Sequence, residues 1–434
     1  MRALPCLLLL LVTPCVAQSQ DAAADSAAVA REAWARAVHA IGAHDTATAA
    51  REVARAAAAW PTQEAYVWGR AVLAAQTRDT ATVREALARL GALGLWRDVR
   101  HDARFAPYVA RADFAPLLAR LDANGAPLAR GGVRATLPDS TFWPEGMDYD
   151  PRTHRFYVAS VRHGTIAEVG EDGALRRELW PRDRAHAGAV LGVRVDAKRG
   201  VLWATLAGIP QYGPHVAADS TVAALVRVRL SDGAIERRWD LPPAALGHTL
   251  GDLAVGPSGD VWVTDSREPV LYRLRPNADA LERTTHPLFH SLQGVTPTPD
   301  GRALYVADYS HGLLRVDIAT GAVSRLDDAP ESTSLGCDGI AWDRGAIVAV
   351  QNGVTPPRVT RFVLDATGTR IARAEVLARD TARLPEPTIG AVVGHTFVFV
   401  ANSQWDEHDD DTGALRPGSR LTRPVLLSVP LPDR

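Results

Sequence analysis

The sequence predicts a chain of α plus all-β class: a short α-helical, tetratricopeptide-like region followed by a six-bladed β-propeller. Two internal repeats predict it. The longer runs from Trp143 to Leu431, where one pattern of strand, turn and second strand recurs six times. First strands start at Pro144-Glu145-Gly146, Leu191-Gly192, Gly251-Asp252, Gln293-Gly294, Asp338-Gly339 and Pro387-Thr388. Second strands end at Ser160, Thr205, Asp265, Asp308, Gln351 and Asn402. A period of roughly 40–50 residues with several strands per unit is the signature of a propeller. The shorter repeat lies before it. His44-Asp45-Thr46-Ala47 is echoed by Arg78-Asp79-Thr80-Ala81, and Trp34 by Trp68, at an offset of 79 − 45 = 34. That is the tetratricopeptide period.

Residues 1–17 read as a secretory leader. Arg2 supplies the positive start, an apolar run to Val12 the core, and Cys15-Val16-Ala17 the small residues before cleavage. A lipidated Cys15 is the less favoured variant, because Pro14 precedes it. Residues 22–124 are rich in alanine, leucine, arginine and glutamate and predict helices. Asp45 or Thr46, and Asp79 or Thr80, are the predicted N-caps. Residues 125–132 form a Gly/Pro-punctuated linker, and residues 133–434 the propeller. The last blade ends one strand short, so Val133–Leu137 is predicted to be its outer strand, closing the ring.

Composition excludes several functions. The formal net charge of −2 gives no basic field for nucleic acid or an anionic membrane. No apolar run reaches the ~20 residues of a membrane span. Cys6 and Cys15 lie in the leader, so Cys337 has no partner for an intramolecular disulfide. Together these predict an exported protein, periplasmic or secreted from a bacterium. Its expected partners are a small molecule and, through the helical repeats, another protein.

Propeller geometry gathers equivalent positions around one mouth. Glu145, Asp252, Gln293 and Asp338 form a first tier there, and Ser160, Asp265, Asp308, Gln351, Asn352 and Asn402 a second. Carboxylate and amide oxygens facing one another suit one divalent cation, Ca²⁺, Mg²⁺ or Zn²⁺. For Asp265, Asp308 and Asn402 the competing reading is turn chemistry, in which the side chain caps backbone amides. His163 and His311 occupy matching turns and His248 precedes Gly251, so all three are candidate rim residues. The acidic run Asp406–Asp411 lacks calcium-loop spacing and reads as a solvated loop.

Residues 142–430 resemble the six-bladed family of senescence marker protein, gluconolactonase and luciferin-regenerating enzyme. The resemblance is carried by Pro144-Glu145-Gly146, by Gln293-Gly294-Val295 with Pro299–Asp308, and by Asp338-Gly339-Ile340. It implies one divalent cation on Glu145, Gln293 and Asp338, and hydrolysis of lactones or related esters. It gives Asp338 a second role as proton acceptor; His311 is a further catalytic candidate on its matching turn alone. Asp252, Asp308, Asn352 and Asn402 are then the substrate-binding candidates. The sequence departs from that family at Gln293, where an asparagine is expected, and at Gly251. The alternative is a non-catalytic propeller that binds a small ligand or a protein.

Overall fold

The computed structural model describes residues 15–128, 130–180, 188–380 and 382–433. The core of the expected leader, residues 1–14, lies outside the described residues. Helices α1 (Cys15–Gly42), α2 (Thr46–Ala59), α3 (Glu64–Gln76) and α4 (Thr80–Ala92) come first. Two shorter helices follow, α5 (Ala106–Val109) and α6 (Ala115–Gly125). Asp45 Oδ1 accepts the Thr48 amide at 3.0 Å, and Asp79 Oδ1 accepts that of Thr82 at 3.1 Å. Both halves of the 34-residue repeat are therefore capped by the aspartate, which satisfies an otherwise unpaired first-turn amide. No helix among the described residues is long and apolar enough to cross a membrane.

Six four-stranded antiparallel sheets follow among the described residues. Their innermost strands are Pro144–Asp150, Ala189–Asp196, Leu250–Val255, Leu292–Pro297, Cys337–Asp343 and Gly390–Val393. Strand alternation puts one apolar face of each blade against the next, and buried clusters such as Ile340, Ile347 and Phe362 fill the gaps. The sixth sheet is completed from the other end of the chain. Gly132–Thr136 pairs with Val425–Pro430 as its outer strand. This closure tethers both ends of the ring by backbone hydrogen bonds and leaves no open edge there. A chain starting at residue 125 should therefore unfold at a higher temperature than one starting at residue 138. Equal thermal midpoints by circular dichroism would remove the closure as a source of stability.

The same kink recurs in five innermost strands. Cross-strand register jumps by an extra residue at Glu145-Gly146, Leu191-Gly192, Gly251-Asp252, Gln293-Gly294 and Asp338-Gly339. Such a bulge bends the strand and re-aims its side chains. The glycines have a steric reason. A Cβ on Gly146 would lie 2.3 Å from the Leu191 carbonyl oxygen, and one on Gly294 2.5 Å from that of Asp338. Neighbouring innermost strands approach this closely around the axis.

The helical region docks on blades four and five. The Trp96 amide donates to the Thr355 oxygen (2.8 Å), and the Thr355 amide to Glu64 Oε2 (2.9 Å). Buried Arg358 donates to the carbonyls of Leu93 and Gly94. Leu335 and Val354 of the propeller belong to helical core clusters. Glu64 is buried with Arg97 at 2.6 Å. Burial raises its carboxyl pKa, and the Arg97 charge works against that rise.

Candidate active site

The bulges set the first tier of the mouth. Glu145 is buried, and its Oε2 accepts the Trp405 indole N–H at 2.7 Å. Asp338 is buried too, and its Oδ2 accepts Asn352 Nδ2 at 2.8 Å. Asn352 also donates to the Pro387 carbonyl (3.0 Å), while its own oxygen accepts the Tyr309 hydroxyl (3.0 Å). Gln293 donates from Nε2 to Ser291 Oγ at 3.2 Å. Its Oε1 lies 3.8 Å from where a Cβ on Gly251 would stand, so that glycine leaves space beside it. Thr388 of blade six donates its hydroxyl to the Glu145 carbonyl at 2.9 Å.

The electrostatics of this mouth are dominated by crowded acids. Burial raises the Glu145 carboxyl well above the usual range, and the charges of Asp338, Glu386 and Asp252 add to it. Burial likewise raises Asp338, and the Asn352 hydrogen bond opposes the rise. Glu386 is pushed up to about 7 by burial and by the nearby Asp406 charge. The Tyr309 phenol is raised by burial and then by Asp338 and Glu386.

Asp252 is placed one step deeper than the first tier expected from the blade repeat. The register puts Gly251 in the mouth tier and Asp252 in the tier that glycine fills in blades one, two, four and five. Its carboxylate receives Arg194 Nη2 at 3.0 and 3.2 Å and the Val295 amide at 3.3 Å. Arg194 lies 3.8 Å from Asp148 as well, and Asp148 Oδ2 accepts the Val195 amide at 2.7 Å. The Asp148–Arg194–Asp252 triad thus occupies the axial channel below the mouth.

The second tier ties loops together. Asp308 is fully buried and accepts the amides of His290 (2.7 Å), Ser291 (2.9 Å) and His311 (2.9 Å). Asn402 accepts the Val425 amide and donates to Thr422 and Arg423. Asp265 accepts the Thr249 amide and the His248 ring. Asp308 and Asp265 cap amides of their own turns and of the preceding loop, and Asn402 ties the loop before the last strand. Asn352, one residue past the strand end, is the second-tier candidate that reaches Asp338.

His311 lies under the helical region. Its ring stacks on His290 at 4.2 Å, meets Trp60 edge-on at 5.3 Å, and accepts a hydrogen bond from Arg31 at 2.8 Å. Its turn-mate Tyr309 faces Asn352 instead. His163 is buried beside Thr141 and Phe142. His248 bonds Asp265 through Nδ1 (2.5 Å) and the Pro242 carbonyl through Nε2 (2.9 Å). The Asp265 hydrogen bond raises its pKa, with burial opposing. Folding thus favours the imidazolium, so this stabilisation is full below the unfolded pKa near 6.5 and lost as pH rises through the folded value. The stability difference between the parent and His248→Gln should accordingly be larger at pH 5.5 than at pH 9 in urea melts. A pH-independent difference would contradict it.

Sequence reading missed Glu386, Tyr309 and Trp405. Glu386 had a signal: Pro385-Glu386-Pro387 opens blade six much as Trp143-Pro144-Glu145 opens blade one. Trp405 sits in the long blade-six insertion, which packs on the blade-two insertion. Gln211 Nε2 donates to the Asp410 carbonyl at 2.7 Å, and His408 stacks on Trp143 at 3.8 Å. The acidic run expected to be wholly solvated therefore belongs to a loop that carries a mouth residue.

Residues 143–382 match the model of the SMP-30/Gluconolactonase/LRE-like region, more than half of the chain. The chain belongs to that family. No curated protein matched the chain. Similar solved structures include the virginiamycin B lyase of Staphylococcus aureus, at 16% identity and TM-score 0.43, covering 61% of this chain and 79% of the lyase. A streptogramin B lyase structure matches at 14% identity and TM-score 0.44, covering 68% and 96% of the two chains. The SMP-30/Gluconolactonase/LRE-like match spans blades one to five and contains Glu145, Gln293 and Asp338.

Proposed function

We propose that the mouth is the active site of a divalent-metal-dependent hydrolase acting on lactones or related esters. The observation that carries this reading is the pair of buried acids, Glu145 and Asp338, each with a raised pKa and each held by a neutral donor. A cation placed between them would relieve that repulsion. The donor set suits a hard cation. Trp405 occupies Glu145 Oε2, Asn352 occupies Asp338 Oδ2, and the partner oxygens of both have no hydrogen-bond partner among the described residues. Gln293, bonded through its nitrogen, supplies a third oxygen. Among the described residues no three His, Cys, Asp or Glu side chains group as a metal site, so the amide is required to complete this set.

When bound, Ca²⁺, Mg²⁺ or Zn²⁺ would polarise the ester carbonyl and acidify water. Asp338 accepts the proton from the attacking water, with Asn352 fixing the carboxylate through Oδ2. Glu145 is fixed by Trp405. Tyr309, on the neighbouring blade, buttresses Asn352 through its hydroxyl. Glu386, raised to about 7, is suited to return a proton to the leaving alkoxide. The opened product is a hydroxy acid. His311, packed beneath the helices, has no part in this scheme.

The second reading is a non-catalytic propeller binding a small ligand, with the helical repeats as an interaction module. The departures from the family pattern at Gln293 and Gly251 favour it. Metal analysis of gently purified protein, followed by a panel of sugar and acyl lactones, separates the two. About one divalent ion per chain with turnover supports the hydrolase; neither supports the binding module. We place either protein outside the cytoplasm, on the leader-like start of the sequence; cell fractionation tests it.

A further inference from the structure

The opposite face of the ring carries a second cavity, of about 830 Å³, between blades four and five. It is built from the turns at the far ends of the strands and shares no residue with the mouth. Its floor is aromatic. The Trp342 and Tyr305 rings stack at 5.7 Å with planes 16° apart. Tyr305 is buried, whereas Trp342 is only half-buried and lines the cavity. The Tyr305 hydroxyl donates to the Gly368 carbonyl at 2.9 Å and fixes the hairpin that forms one wall.

Five arginines line this cavity, and they are not equivalent. Arg344 and Arg361 share the Asp343 carboxylate at 2.8 and 3.0 Å, and Arg373 meets Glu375 at 2.8 Å. Those three arginines share two carboxylates, with Arg361 reaching both Asp343 and Glu375. Arg302 and Arg315 have their nearest carboxylates at 3.8 and 3.9 Å, beyond hydrogen-bond reach. Arg315 Nε is buried with no hydrogen-bond partner. Arg315 is also the cross-strand neighbour of Tyr305, and its charge acts on the Tyr305 hydroxyl, so the guanidinium stands beside the aromatic floor. The lining carboxylates cannot serve it. Asp300 accepts the Thr298 hydroxyl and the Arg302 backbone amide, and Asp365 the Thr367 hydroxyl and the Thr369 backbone amide, each closing its own turn.

We propose that this cavity binds a carboxylate-bearing sugar ring, the uronic acid unit of an acidic oligosaccharide. The ring lies on Trp342, because an indole face takes the apolar C–H face of a sugar. The carboxylate reaches the exposed part of the Arg315 guanidinium, whose planar fork matches two oxygens. Arg302, largely exposed at the rim, supplies a second positive charge for the next acidic unit. This binding is independent of the chemistry at the mouth.

The test uses the full chain and calorimetric titration with trigalacturonate and neutral galactotriose. Trigalacturonate should bind at least about tenfold more tightly, the value of one charge-assisted hydrogen bond. Arg315→Gln and Trp342→Phe should each weaken it measurably, and Asp338→Ala should leave it unchanged. If Trp342→Phe fails to fold, Arg302→Gln replaces it with the same expectation. Equal affinity for both sugars, no binding at millimolar concentration, or loss in Asp338→Ala with retention in Arg315→Gln would each overturn the proposal. So would displacement of the sugar by an equal concentration of sodium sulfate, which would mark a bare anion site.

Discussion

Asp338→Ala should reduce lactone turnover by at least about a hundredfold, the usual contribution of a positioned proton acceptor. It should also lower divalent metal content, because the same side chain is a proposed ligand. Asp338→Asn separates the two roles. The amide keeps an oxygen for the cation but takes no proton, so metal content should largely persist while turnover falls as far as in the alanine variant. Both quantities are read on one preparation, by elemental analysis and by titration of released acid. Full activity in either variant would remove Asp338 from the chemistry. Loss of both signals with unfolded circular dichroism would be uninformative for the alanine variant, and the isosteric asparagine then decides.

Arg194→Met should destabilise the protein by about 3–5 kcal/mol, among the largest effects expected of a single substitution here. Arg194 bridges Asp252, which is 1% exposed, and Asp148 below the mouth. Burial raises the pKa of both acids, and the arginine charge opposes it in each. Removing the guanidinium strands two buried carboxylates with their backbone amide donors as the remaining partners. The paired change Arg194→Met with Asp252→Leu should recover part of the loss, since apolar replacement of a buried pair is often neutral, while Asp148 stays without its cation. Urea unfolding of the three chains measures it. A loss under about 1 kcal/mol for Arg194→Met would mean that water reaches the triad.

Much of the architecture could be read before any coordinates. The six-fold repeat, the 34-residue helical repeat and the borrowed outer strand all follow from local periodicity and from a missing last strand. The mouth was harder. Glu145, Gln293 and Asp338 stand at equivalent bulge positions, and each is followed by glycine, which is a sequence-visible cue. Blade three reverses that order as Gly251-Asp252, and a one-residue slip moves the acid down a tier. His163 and His311 share a turn pattern, but where a turn residue packs depends on what covers it. For His311 that is α1 and Trp60, more than two hundred residues away in sequence. Tyr309 and Trp405 join the mouth through contacts between blades, which no local pattern encodes, whereas Glu386 had a local cue in Pro385-Glu386-Pro387.

The repeated bulge has a consequence for how such a ring can change. One rank of positions, Gly146, Gly192, Gly294 and Gly339, is fixed by steric contact between adjacent innermost strands. The rank just above it, Glu145, Leu191, Gly251, Gln293 and Asp338, carries no such constraint and already spans acid, amide, apolar and absent side chains. The scaffold therefore separates its closure from its recognition. Five single-residue changes in that upper rank could give the mouth a different selectivity while the ring below keeps its packing, which makes this propeller a modular frame for redesign.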